Sequence, residues 1–213
     1  MTGSRSVARL PQNTAACRRT RFAPLYRERL DRVLATGVHC VCRCRCWDRH
    51  LGRADVTNRT VVTLREIKDA NRAEVVRLTV GPGQSQFVDG VAASLKDAEA
   101  KPDACPWFRA IYADDTPVGF VMIADGVPAG HPDFDWPYYL WRLLIDADHQ
   151  RRGYGAAALD LVVEYVRGRP GAAELVTSVV PGEGSPAPFY ERRGFHPTGA
   201  MLDREHVYVL PLR

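Results

Sequence analysis

The feature that most constrains this sequence is a short glycine-containing loop between a strand pattern and a helix pattern. The loop reads Gln150-Arg-Arg-Gly-Tyr-Gly155 and follows the aromatic and aliphatic run 138–145. A helix pattern, 153–167, begins inside it. The first N–H groups of a helix lack partners and carry the positive end of its dipole, and glycine lets an anion approach the backbone. With two arginines beside these groups, the loop predicts a pyrophosphate site.

The remainder of residues 61–213 predicts one α+β domain. Strand and helix patterns follow one another in the order β-α-α-β-β-β-α-β-α-β-β. That order is typical of a mixed, mostly antiparallel sheet flanked by helices, with one β-α-β crossing. Strands are expected at 61–67, 107–114, 116–125, 138–145, 174–180, around Phe195 and at 206–210, and helices after Asp69 and at 86–100, 153–167 and 186–192.

Residues 1–60 differ in composition and are expected to form a poorly ordered segment outside the domain. They contain 13 arginines, no lysine and four acidic residues, whereas residues 61–213 contain 16 basic and 21 acidic residues. The acidic domain argues against a nucleic acid partner. Neither a membrane span nor the apolar core of a secretory signal is visible, so we expect a cytoplasmic protein that does not bind membranes. A transit peptide or an upstream extension stays open for the Arg-rich segment.

Four alternating cysteines, residues 40–46, follow His39 in that segment. Structural zinc sites use cysteine pairs two to four residues apart, with a longer loop between the pairs. Alternating residues of an extended chain lie in a row and cannot close a tetrahedron. We therefore expect no metal site.

Two motifs in the expected order resemble the GNAT acetyltransferase superfamily. Its phosphate loop reads Q/R-x-x-G-x-G/A, as at 150–155, and its tyrosine helix is similar to Phe189-Tyr-Glu-Arg-Arg-Gly-Phe195. The resemblance covers residues 61–212 and implies acetyl-CoA as cosubstrate, with Tyr190 as the general acid beside the CoA sulfur. CoA contacts are implied for Leu143, Leu144, Ile145, Gln150, Arg151, Arg152, Gly153, Tyr154, Gly155, Ala156 and Glu183, the last standing where the family often has asparagine.

Several stretches, among them 106–112, 117–122 and 140–146, look like the bacterial spermine/spermidine (diamine) acetyltransferase branch. This implies transfer of acetyl to a primary amine of a small molecule, with a polyamine among the candidates and a homodimer left open. Direct attack needs a neutral amine, so a carboxylate or an ordered water must take its proton. The sequence offers Glu66, Asp125, Asp133, Asp135 and Asp146 without ranking them.

Two alternatives remain. Gly153, Gly155 and Ala158 also fit the dinucleotide fingerprint of an oxidoreductase. Seven residues separate strand from glycine, however, and only 58 residues follow Gly155, too few for a doubly wound sheet. The other alternative is a non-catalytic acyl-CoA sensor on the same fold. Tyr190 favours an enzyme, although a tyrosine beside Phe189 can also be a packing residue.

Overall fold

A computed structural model describes residues 60–213 of the chain. The expectations for residues 1–59, including the cysteine run, lie outside the described residues. The strands are β1 (Val62–Arg65), β2 (Pro106–Ala113), β3 (Thr116–Asp125), β4 (Tyr138–Ile145), β5 (Glu174–Val179), β6 (His196–Leu202) and β7 (Glu205–Pro211). The helices are α1 (Asp69–Val75), α2 (Val91–Ala100), α3 (Tyr154–Arg167) and α4 (Ala187–Glu191), with 3-10 turns at Gln84–Gln86, Pro102–Ala104 and Ala147–His149.

The seven strands form one sheet in the order β1-β2-β3-β4-β5-β7-β6. Neighbouring strands are antiparallel except β4 and β5, which are parallel and joined through α3. The predicted α+β architecture and element order are confirmed. The dinucleotide-binding alternative is wrong, because a doubly wound fold needs a parallel sheet. No helix within residues 60–213 is long and apolar enough to cross a membrane.

The centre of the sheet is covered on both faces. Successive side chains of a strand point to opposite faces, so Val121 and Ile123 of β3 join α3 in one apolar cluster, while Phe120 and Met122 join α1 and α2 in another. Leu159 of α3 is fully buried in the first cluster. This packing fixes the start of α3 against the end of β4, where the predicted site lies.

Two helix starts differ from the sequence-based expectation. The second helix begins at Val91 rather than at residue 86, because Gly90 adopts an extended conformation before it and a 3-10 turn occupies the preceding residues. At α1 the cap is Lys68 rather than Asp69, and the side chain of Asn71 accepts the Lys68 N–H at 2.7 Å. A side chain inside the first turn thus binds the backbone N–H of the residue that precedes the helix.

Candidate active site

The site is built where β4 and β5 part. The two strands pair at Tyr139 and Val176, and the Thr177 hydroxyl donates to the carbonyl of Leu140 at 3.0 Å. The register between β3 and β4 shifts at this level, which leaves Trp141 without a partner in β3. A bulge of this kind bends its strand and increases the local twist. Beyond it, β4 and β5 diverge and leave a gap in the middle of the sheet.

A cleft of about 560 Å³ opens at this gap. Its walls come from the end of β4, the glycine loop, the start of α3, β5 and α4. Predicted site residues that line it are Leu143, Ile145, Gln150, Arg151, Gly153, Tyr154, Gly155, Ala156 and Tyr190. The fold therefore brings nine of the twelve predicted site residues to one cavity.

The glycine loop has the geometry of an anion cradle. Gly153 has φ of +83° and Arg151 has φ of +62°, so the chain turns through two left-handed residues before α3 begins at Tyr154. The N–H groups of the first helical turn have no partner inside the helix. Glycine at 153 is needed for this conformation rather than for space, since a Cβ there would meet no atom within 4 Å.

Gly155 has different surroundings. A Cβ at this position would lie 3.4 Å from Cγ1 of Ile145 and 3.8 Å from the ring of Phe189, which are ordinary van der Waals distances. The first turn of α3 therefore lies against the end of β4 and α4, with room for no more than a small side chain. The cradle and the strand edge consequently form one continuous wall.

Gln150 ties the cradle to its surroundings. Its Nε2 donates to the Ile145 carbonyl at 2.9 Å and to Oε1 of Gln84 at 2.7 Å. The same Oε1 accepts the Gly81 N–H at 3.0 Å. Further along this segment, Phe87 approaches Gly184, where a Cβ would lie 3.6 Å from the ring. Residues 81–87 thus reach from the cradle to the loop after β5.

Three predicted CoA contacts lie off the cleft lining. The Leu144 side chain is buried on the other face of the sheet, with Phe120 and Met122. Arg152 is exposed and donates to the Asp148 carbonyl at 2.9 Å. Glu183 is exposed in the loop between β5 and α4, whereas the adjacent Gly184 lines the cleft.

Tyr190 is held by α4 with its ring buried between Phe189 and Phe195, at centroid distances of 5.1 and 5.4 Å. Burial raises the pKa of its hydroxyl well above the usual range, while a hydrogen bond with the Thr177 hydroxyl acts in the opposite direction. The phenol therefore keeps its proton at neutral pH. Tyr190 thus lines the cleft with a protonated hydroxyl.

A second cavity of about 650 Å³ adjoins the cleft. The two share five lining residues: Phe87, Val88, Trp141, Arg142 and Ser178. Because Trp141 and Ser178 lie on the two strands that diverge, the cavities meet at the gap in the sheet. A molecule in either cavity can therefore contact a molecule in the other.

The second cavity carries more carboxylates than cations. Asp89, Asp203 and Glu205 line it, against Arg142 and Arg204. Nη2 of Arg142 pairs with Asp89 at 2.7 Å and also with Asp97 at 3.2 Å, so this guanidinium is already neutralised. The balance favours a cationic ligand, such as an alkylammonium group.

The carboxylates proposed from sequence as proton acceptors line neither cavity: Glu66, Asp125, Asp133, Asp135 and Asp146. Asp125 is buried between Nε of Arg169 at 2.9 Å and the Tyr165 hydroxyl at 2.8 Å. Burial alone would raise the pKa of Asp146, but hydrogen bonds led by the Thr79 N–H outweigh it and lower that pKa. These two carboxylates hold neighbouring segments of the chain together.

Sequence reasoning missed Asp89 and Glu205 as residues of the site. Asp89 lies inside the segment that was expected to be helical, and Glu205 begins a strand on the far side of the domain in sequence. No motif marks either one. Only the sheet order, which sets β7 beside β5, brings Glu205 to the gap.

Comparison with known proteins agrees with this geometry. The profile of the Acetyltransferase (GNAT) family matches residues 64–195. The chain therefore belongs to the GNAT acetyltransferase family, and acetyl-CoA is its cosubstrate.

Individual relatives are distant. A probable spermine N(1)-acetyltransferase of Bacillus subtilis subsp. natto (strain BEST195) is 22% identical over 154 residues, 71% of this chain and 99% of that protein. An acetyltransferase from Thermus thermophilus has a similar structure, with a TM-score of 0.53 and 22% identity over 70% of this chain and 96% of that one. N-acetylglutamate synthase from Neisseria gonorrhoeae, complexed with coenzyme A and N-acetyl-glutamate, also has a similar structure. Its TM-score is 0.51 and its identity is 16%, over 72% of this chain and 35% of that one.

Proposed function

We propose that this enzyme transfers the acetyl group of acetyl-CoA to a primary amine of a small molecule by direct attack, and that the amine is a polyamine. The observation that carries this proposal is the contact between two unlike cavities. One has an anion cradle at its end, and the other has an excess of carboxylates. A cosubstrate with a pyrophosphate suits the first, and a cationic amine suits the second.

In this proposal, the pyrophosphate of acetyl-CoA binds to the N–H groups that begin α3, within residues 150–156. Arg151 and Arg152 add positive charge at the exposed end of the cradle. The pantetheine arm follows the backbone of residues 143–145, where β4 has lost its pairing with β5. Glu183 contributes through the position of its loop rather than through its exposed side chain.

The thioester then lies at the gap between the strands. A primary alkylamine has a pKa near 10.4, so its neutral form costs about 4.6 kcal/mol at pH 7. The neutral nitrogen attacks the carbonyl carbon, and the C–S bond breaks. Tyr190 gives its proton to the departing thiolate, a role that its place on the cleft lining supports.

The acceptor is assigned from charge and from a relative. The excess of carboxylates over guanidinium groups on the wall of the second cavity suits a cationic acceptor. The Bacillus protein named as a probable spermine acetyltransferase supports the same class. A polyamine would keep one ammonium near Asp203 while its neutral end reaches the gap.

The test is turnover of purified full-length protein with acetyl-CoA and a panel of acceptors. Spermine, spermidine and putrescine are compared with a monoamine and with a peptide that has a free N-terminus. Acetylated product is read by mass spectrometry, because the six cysteines of the chain would give a background in a thiol-release assay. We expect a higher kcat/KM for polyamines than for the monoamine.

The remaining alternative, a non-catalytic acyl-CoA sensor, predicts that no acceptor in the panel yields acetylated product. Calorimetry, added as a second measurement, would still detect acetyl-CoA binding. If the peptide is the one acceptor that is acetylated, the protein is an acetyltransferase and the proposal that its acceptor is a polyamine is wrong.

A further inference from the structure

Ser178 occupies the point where the two cavities meet. It lies on β5 and lines both cavities, whereas the preceding Thr177 lines the cleft alone. Consecutive residues of a strand project to opposite faces. Thr177 accordingly turns towards Tyr190, and Ser178 turns towards the second cavity.

The Ser178 hydroxyl belongs to a short hydrogen-bonded chain. Its Oγ donates to Oε2 of Glu205 and lies 2.5 Å from the Tyr139 hydroxyl. A hydroxyl has one proton to donate and two lone pairs. Since the Ser178 proton goes to Glu205, Tyr139 must be the donor in the other bond. One lone pair of Ser178 is left to accept a proton from a ligand.

The direction of these hydrogen bonds agrees with the protonation state of Tyr139. Burial raises the pKa of the Tyr139 hydroxyl, and the nearby charge of Glu205 acts the same way. Tyr139 therefore keeps its proton and donates it into a hydrogen bond. The order of donors runs from Tyr139 to Ser178 and ends at the carboxylate of Glu205.

Glu205 differs from Asp89, another carboxylate of the second cavity. Asp89 is paired with Arg142 at 2.7 Å. Within residues 60–213, Glu205 takes part in no ion pair. Its carboxylate is connected to a hydroxyl at the gap and not to a cation.

We propose that Ser178 and Glu205 receive the proton that the attacking amine loses, an inference that rests on the function proposed above. The nitrogen forms a bond to the thioester carbonyl carbon. Its surplus proton passes to Oγ of Ser178 while the Ser178 proton passes to Glu205. The C–S bond then breaks, and the thiolate takes a proton from Tyr190. Ser178 touches the reacting nitrogen, and Glu205 acts through Ser178.

The test uses steady-state kinetics of the full chain with acetyl-CoA and its best amine. Glu205→Gln keeps the size of the side chain and removes its proton affinity, and Ser178→Ala removes the hydroxyl. Each is expected to lower kcat about 10²-fold, because general base assistance is typically worth about 10²–10⁴. The KM for acetyl-CoA should change less than about threefold, since neither group lies at the cradle.

Two further variants separate proton transfer from a structural role. The double variant should be no slower than the slower single variant, because both changes interrupt one path. Ser178→Thr keeps a hydroxyl in a strand position and should recover most of the rate lost in Ser178→Ala. The control is Glu174→Gln, the same exchange at the exposed opposite end of β5, which should leave kcat unchanged.

The outcomes are distinct. A wild-type kcat in Glu205→Gln, or single losses that multiply in the double variant, would overturn the relay while leaving the proposed function intact. If Glu205→Gln does not fold, equal rates for Ser178→Ala and Ser178→Thr overturn it instead. If the wild type acetylates no amine at all, the proposed function fails first, and the relay fails with it.

Discussion

At the scale of single residues, Tyr190 combines a buried ring with a place on the lining of the cleft. Its ring is packed between two phenylalanines, and its hydroxyl points into the cleft wall beside Thr177. A phenol is protonated at pH 7 even at its ordinary pKa near 10, and the raised pKa makes Tyr190 a weaker acid. The proposed proton transfer therefore relies on the position of Tyr190 at the cleft. A thiolate with a pKa near 8.5 needs that proton only as its charge develops.

Tyr190→Phe tests this role directly. The exchange keeps the ring packing and removes the hydroxyl, so we expect kcat to fall at least about tenfold, with acetyl-CoA affinity and melting temperature nearly constant. The matched control is Tyr208→Phe, a tyrosine of β7 that lines neither cavity and should turn over normally. Wild-type turnover in Tyr190→Phe would reduce Tyr190 to a packing residue. A collapse of stability with rate would favour the same conclusion.

At the scale of secondary-structure elements, the start of α3 is the part of the site most firmly encoded in the sequence. Gly153 supplies a left-handed residue just before the helix begins. This requirement concerns the backbone, and glycine satisfies it at a position visible from spacing alone. This explains why the cradle could be predicted before the structure.

Gly153→Asp tests the cradle. It places an anion beside the N–H groups that would bind pyrophosphate, so acetyl-CoA affinity should fall at least tenfold, which is about 1.4 kcal/mol. Calorimetry measures this, and thermal unfolding measures the cost of a left-handed aspartate. Gly171→Asp is the matched control, since Gly171 has φ of +71° and equally open space just after α3. If both variants bind acetyl-CoA like the wild type, the cradle is not the phosphate site.

Other elements escaped prediction for physical reasons. The bulge at Trp141 depends on how β4 pairs with β3. The local periodicity of a sequence does not show which residues of two strands pair. Glu205 reaches the site through the order of strands rather than through neighbours in sequence. The start of α2 was placed too early, at residue 86 instead of Val91, because the apolar spacing of Phe87 continues that of the helix although Gly90 interrupts it.

At the scale of the whole molecule, we propose that the catalytic domain begins at the first strand. Val61 donates its N–H to Oδ1 of Asp114 at 2.9 Å, and β1 pairs with β2 along its length. The apolar pattern of the sequence starts at the same place. Residues before Thr60 are, in this proposal, outside the functional unit.

A shortened chain that starts at Thr60 should therefore keep the melting temperature and the kcat of the full-length protein. A second shortened chain, starting at Ile67, lacks β1 and exposes the edge of β2, so it should lose solubility or unfold at lower temperature. Both are measured by thermal unfolding and by acetylation rate. If the chain that starts at Thr60 loses turnover, residues 1–59 belong to the functional unit and the proposed boundary is wrong.

The extra residue in β4 has a consequence for how such a protein can change over time. The apolar clusters that support the fold cover both faces of the sheet and draw on several strands and helices. In the function proposed above, the two ligands meet beside the one local irregularity at Trp141, whose side chain lines both cavities and also packs against one of these clusters. Substitution of Trp141 is therefore expected to change the choice of acceptor and the packing of the sheet together, whereas Arg204, an exposed residue of the second cavity, can change with the acceptor while the clusters stay intact.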